Sequence, residues 1–156
     1  MWSSKQLMAL KVKVHQNCEQ VLADKLKLIS DDLESLQQAQ QNEVKSSMGD
    51  KYETGPAMLN QQRQRLLQQQ QQLNANMRAL GQLNPRATTE IVQLGTLLAT
   101  DQGLFYLAIG LGAIECEDHQ VWVISLQSPL GQALNAQKPD QTINFQGRTY
   151  RLLQLT

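Results

Sequence analysis

Asp50 and Glu53 stand three residues apart in the stretch SSMGDKYETGPAML, residues 46–59. Two carboxylates beside Gly49 and a Gly55-Pro56 pair can offer oxygen atoms to a hard cation, or accept hydrogen bonds from the free amides at a helix start. Taken alone, the residues leave both readings open, because a solvated turn carries acids just as often. Lys51 and Tyr52 lie between them and are candidates for contact with a partner or for ordinary surface. What this stretch does depends on the elements that hold it.

Those elements read as two amphipathic helices. Between residues 16 and 80 the only helix breakers are Gly49, Gly55 and Pro56, so they mark one turn. Upstream, Leu22, Leu26, Ile29, Leu33 and Leu36 recur at spacings of 4, 3, 4 and 3, the seam of a coiled coil. Downstream, Leu59, Leu66, Leu73 and Leu80 repeat every seven, with Gln62, Gln69 and Asn76 at the expected intervening seam positions. The tract NQQRQRLLQQQQQLNANMRAL is glutamine-rich, yet glutamine is a fair helix former and the leucine register does not slip, which predicts helix rather than disorder. Two such stripes joined by a short turn bury each other as an antiparallel hairpin. An arm over residues 17–46 extends on the order of 45 Å at about 1.5 Å per residue, which sets the acids at its far tip. The segment SSKQLMALKVKV either extends the first helix or packs across it.

After Pro85 the pattern changes to short strands. EIVQLGTLLATDQGLFYLAIG holds two β-type runs about a TDQG turn, and HQVWVISL is a further run of β-formers. Ser128 and Pro129 predict the N-cap and first position of a short helix in SPLGQALNAQ, and QTINFQGRTYRLLQL predicts a hairpin turning at Gln146 and Gly147. Phe105, Tyr106, Trp122 and Tyr150 fall in the β-type runs, and in so small a domain most should be core.

Bulk features restrict the partner. The 156 residues carry 14 basic and 14 acidic side chains, so net charge gives no reason to expect nucleic acid or a membrane surface. No run approaches the roughly 18 apolar residues of a membrane span, and the chain reads as cytoplasmic. Cys18 and Cys116 lie in regions of different character with no CxxC spacing, which reads as two reduced thiols. Arg63, Arg65 and Arg78 could face an acidic partner or simply solvate a helix, and neither His15 nor His119 has a partner that sequence identifies. No nucleophile–base pair and no full metal-ligand set is legible, which argues against an enzyme in its own right.

GDKYE matches a Gly-Asp-x-x-Glu motif, and ISLQSPLGQALNAQKPDQTINF is similar to a Ser-Pro-hydrophobic, Ala-Leu, Gly-Lys, Gly-Asp segment leading into a strand. On these two motifs the chain resembles, over essentially its whole length, the Gre-type transcription elongation factors of bacteria, which are transcript cleavage factors of RNA polymerase. The resemblance implies an α+β fold: a long N-terminal antiparallel coiled-coil hairpin over 1–83, with its acidic tip near 49–56, then a small FKBP-like β-sheet domain with one short helix over 84–156. It implies a protein that binds RNA polymerase through the secondary channel and, by its acidic tip, stimulates cleavage of backtracked transcripts or modulates the active centre. Asp50 and Glu53 would then serve as the catalytic and metal-holding pair, sharing a Mg2+ with the polymerase site and positioning water near the transcript 3′ end. Lys51 and Tyr52 would contact polymerase or RNA. DNA would be near only through polymerase, no membrane is implied, and the isolated chain would be inert.

The chain departs from the cleavage factors just past the glutamate. Where they continue Asn-Ala-Glu-Tyr, it has Thr54, Gly55, Pro56 and Ala57. The family also contains members that enter the same channel and inhibit. The alternative expectation is accordingly a channel-binding inhibitor or a non-catalytic coiled-coil adaptor whose seam takes a helical partner. A peptidyl-prolyl isomerase is not supported, since fold is not function and no aromatic-lined pocket is legible.

Overall fold

The computed structural model describes residues 2–45 and 54–156. In chain order its elements are α1 (Ser4–Lys45), α2 (Thr54–Gly81), β1 (Leu97–Thr100), β2 (Gly103–Ala108), β3 (Gly112–Cys116), β4 (His119–Ser125), α3 (Pro129–Leu134), β5 (Thr142–Phe145) and β6 (Arg148–Leu155). This is the expected α+β architecture of a long helix pair followed in sequence by a small sheet with one short helix. The chain forms two compact units: residues 1–20 with 78–156, and residues 21–77. Among the described residues no helix is long and apolar enough to cross a membrane.

The first unit is built on a mixed six-stranded sheet in the order β3-β4-β2-β1-β6-β5, in which β2 and β4 run parallel and the other neighbours antiparallel. One face carries Leu98, Phe105, Leu107, Tyr150 and Leu152, which pack with Val92 and with Leu134 of α3. The Phe105 and Tyr150 rings meet edge-on at 5.9 Å, a favoured aromatic geometry. Alternation sends Tyr106, Val121 and Val123, all fully buried, to the other face, which the start of α1 covers. Phe105, Tyr106 and Tyr150 are therefore core as expected, whereas Trp122 is 42% exposed.

Local chemistry explains most of these elements. Ser3 Oγ accepts from the Gln6 amide at 3.1 Å and Gln6 Oε1 accepts from the Ser3 amide at 3.0 Å, a reciprocal cap that starts α1. The segment left open by the sequence thus extends the first helix. Ser128 Oγ accepts from the Gly131 amide at 3.1 Å, with Pro129 opening α3. Gln146 and Gly147 turn the β5–β6 hairpin at φ of 50° and 77°, as a two-residue turn with both central residues left-handed requires.

Two stretches differ from the sequence expectation. β3 has no counterpart in it, because the β3–β4 turn uses Glu117 and Asp118 at φ of 49° and 65°, without the Asn-Gly signature of such turns. The upstream half of EIVQLGTLLAT is irregular rather than strand. There Val92 donates to the Gln137 carbonyl and accepts from the Ala136 amide, both at 2.8 Å, so tertiary bonds to the loop after α3 replace a ladder.

Candidate functional site

In the second unit α1 and α2 run antiparallel. Gln40 Nε2 donates to Asn60 Oδ1 at 3.4 Å, Leu36 shares a surface cleft with Gln62 and Leu66, and Ile29 shares another with Gln69 and Leu73. Moving down one helix means moving up the other, as a folded-back pair requires. On α1 the seam is Leu22, Leu26, Ile29, Leu33 and Leu36, all buried or half-buried as expected, with Ile29 only 8% exposed. On α2 the leucine heptad also holds, and of the intervening positions Asn76 is half-buried as expected while Gln62 and Gln69 are exposed. Gln70 and Met77 are half-buried as well. The reason is the seam's 4-3 alternation: counting 4 then 3 from Leu66 gives Gln70, Leu73, Met77 and Leu80.

This pairing brings the end of α1 and the start of α2 to the same end of the hairpin. Residues 46–53 join them. Asp50, Lys51, Tyr52 and Glu53, together with the proposed cap by Asp50, lie outside the described residues. Gly55 and Pro56 fall within the first turn of α2 rather than before it. Proline costs nothing there, because the first four amides of a helix have no partner inside it. Arg63, Arg65 and Arg78 are exposed. Among the described residues, no group of three or more His, Cys, Asp or Glu side chains could hold a metal.

Sequence reasoning missed the polar set buried in the first unit. His15 Nδ1 and the Tyr106 hydroxyl are 2.8 Å apart, and His15 Nε2 lies 3.2 Å from Glu19 Oε1. Burial holds the His15 pKa below its ordinary value, partly offset by Glu19, while burial pushes the Tyr106 phenol up. Lys11 is 2% exposed and donates to the Ala87 carbonyl at 2.7 Å, and burial lowers its pKa to about 8. Lys13 pairs with Glu117, whose hydrogen bond raises the Lys13 pKa, and Trp2 meets His119 edge-on at 4.8 Å. His15 and Lys11 lie on the face of α1 that carries Leu7, Val14 and Cys18, so a helical wheel shows them inside, but it cannot name partners so distant in sequence.

No protein-family model and no curated protein matches the chain. Among solved structures it is similar to the transcription factor Gfh1, at 16% identity over 88% of this chain and 92% of that one, with a TM-score of 0.35. It is similar also to GreA factor homolog 1 (Gfh1) of Thermus thermophilus, at 16% identity over 88% and 94% with a TM-score of 0.34. Gfh1 of Thermus aquaticus gives 17% identity over 87% and 92%, with a TM-score of 0.29. Likenesses this distant establish no family and no activity.

Proposed function

We propose that this chain is a Gre-like transcription factor that binds RNA polymerase through its secondary channel and acts on the active centre through Asp50 and Glu53. The observation that carries the reading is positional. The GDKYE motif falls within the eight residues, 46–53, between two antiparallel helices, α1 ending at Lys45 and α2 starting at Thr54. A helical pair of that kind is a slender support for a few side chains and a poor container for a complete active site. The chemistry must then be completed by the partner.

Two carboxylates are the donor type that Mg2+ takes from a protein, since it keeps several waters and accepts one or two such ligands. Asp50 and Glu53 would hold the ion jointly with polymerase residues, and a Mg2+ so placed stabilises charge on the oxygens of a phosphodiester displacement. In this arrangement the two acids also accept hydrogen bonds from the attacking water, while Lys51 and Tyr52 contact polymerase or RNA. A second reading, channel binding without cleavage, is favoured by one feature. Pro56 and Ala57, in the first turn of α2, stand where cleavage factors carry a further acid and a tyrosine.

The deciding experiment is transcript cleavage in a stalled, backtracked RNA polymerase complex from the same organism. Release of short 3′ RNA fragments should accelerate with the parent chain and fall about tenfold or more in the Asp50→Asn, Glu53→Gln double variant, with helicity unchanged. Slowed elongation without cleavage would select the inhibitor reading, and failure to bind polymerase would remove both.

A further inference from the structure

Cys18 and Cys116 are distant in sequence but meet at one interface. Both thiols are buried, at 0% and 3% exposure. Two contacts lie beside them: Lys13 pairs with Glu117, and Asn17 Nδ2 donates to the Glu115 carbonyl at 3.4 Å. One helical turn advances about 5.4 Å and two strand residues about 6.6 Å, so α1 and β3 run past each other in near register, Lys13 at Glu117 and Asn17 at Glu115. Cys18 adjoins the second contact, and Cys116 lies between the two.

Side-chain directions agree with this placement. Cys18 follows Leu7, Leu10, Lys11 and Val14 on the buried face of α1. Cys116 pairs with His119, two residues from the buried Val121, and so shares the sheet face of Val121 and Tyr106, the face bonded to α1 through His15. Burial, and then the neighbouring Cys116, push the Cys18 thiol up to about 12. We propose that Cys18 and Cys116 form a reversible intramolecular disulfide that ties α1 to the edge strand β3 under hydrogen peroxide. This link is independent of what the hairpin binds.

Cys116 ends an edge strand beside a two-residue turn, so local opening there exposes it before Cys18. Its thiolate attacks one peroxide oxygen and breaks the O–O bond; the other oxygen leaves as hydroxide, takes a proton and becomes water, and a sulfenic acid remains. The Cys18 sulfur then attacks the sulfenic sulfur and expels its oxygen as a second water, which carries away the thiol proton. Two thiols lose two electrons, and one peroxide becomes two waters.

The test treats the folded, full-length chain with hydrogen peroxide and follows intact mass, thiol titre after denaturation, and thermal unfolding. The expected result is a 2 Da loss in a monomer, a fall from two titratable thiols to none, and a rise in the unfolding midpoint on the order of 5 °C, all reversed by dithiothreitol. Cys18→Ser and Cys116→Ser should each abolish the 2 Da loss. A disulfide needs Cβ atoms about 3.5–4.5 Å apart, so its formation without loss of fold also measures the geometry. Thiols that remain at two, addition of oxygen without the 2 Da loss, disulfide-linked dimers in place of monomer, or a lowered unfolding midpoint would each overturn the proposal.

Discussion

Lys11 keeps its amine at 2% exposure with one acceptor, the Ala87 carbonyl 2.7 Å away, and burial draws its pKa from 10.5 to about 8. Below about pH 8 the folded chain bears the cost of that buried charge. Between about 8 and 10.5 the unfolded chain binds more protons than the folded one, so stability rises with pH through Lys11. Cys18 acts in the opposite sense: its thiol moves from 9.0 up to about 12, and stability falls once pH passes 9.0. The Cys116 thiol is raised likewise, so the two thiols partly offset Lys11 as pH nears 9.0. Urea unfolding should show the rise of the parent's stability over about pH 8 to 9 exceeding that of Lys11→Met by on the order of 1 kcal/mol. An unchanged rise in the variant would assign it to another group. His15 was legible as a position but not as an interaction, since Tyr106 becomes its partner only after the sheet has formed.

At the scale of elements, α3 is held by its cap and by close approach to the chain before it. A Cβ built on Gly131 would sit 2.2 Å from the Ser125 carbonyl oxygen, a backbone atom with little room to move. Gly131→Ala should therefore destabilise the first unit by about 1–3 kcal/mol, seen as a lowered urea midpoint in tryptophan fluorescence, despite alanine's better helix propensity. The capping pair Ser128 and Pro129 was readable from sequence because it is local chemistry. So were the seam leucines and the Gln146-Gly147 turn. β3 was not, because Glu117 and Asp118 occupy left-handed positions without the residues that advertise them. Gln70 and Met77 were missed because a polar residue and a methionine on either side of Leu73 resemble surface as readily as seam. The stretch before β1 carries a strand-like pattern yet is irregular because Val92 is bonded to the loop after α3, a partner no local pattern reveals.

For the whole molecule, the two compact units carry separate reporters. Both tryptophans, Trp2 and Trp122, belong to the first unit, and the hairpin seam as far as Leu73 and Met77 belongs to the second. Ile29, 8% exposed in that seam, lacks the support of a larger core, and Ile29→Ala should cost the hairpin about 2–4 kcal/mol. Helical ellipticity should then show an earlier transition while tryptophan fluorescence keeps its midpoint. Coincident shifts in both signals would mean that the units unfold as one. The proposed function requires the end of this hairpin to reach the active centre of RNA polymerase. The most direct measurement replaces Tyr52 with photo-reactive p-benzoylphenylalanine and irradiates the chain bound to a backtracked polymerase complex carrying RNA labelled at its 3′ end. Crosslinks to that RNA end, or to polymerase segments that line the catalytic site, are the predicted result. Crosslinks confined to the outer surface of polymerase, or none above those of an unbound control, would contradict it.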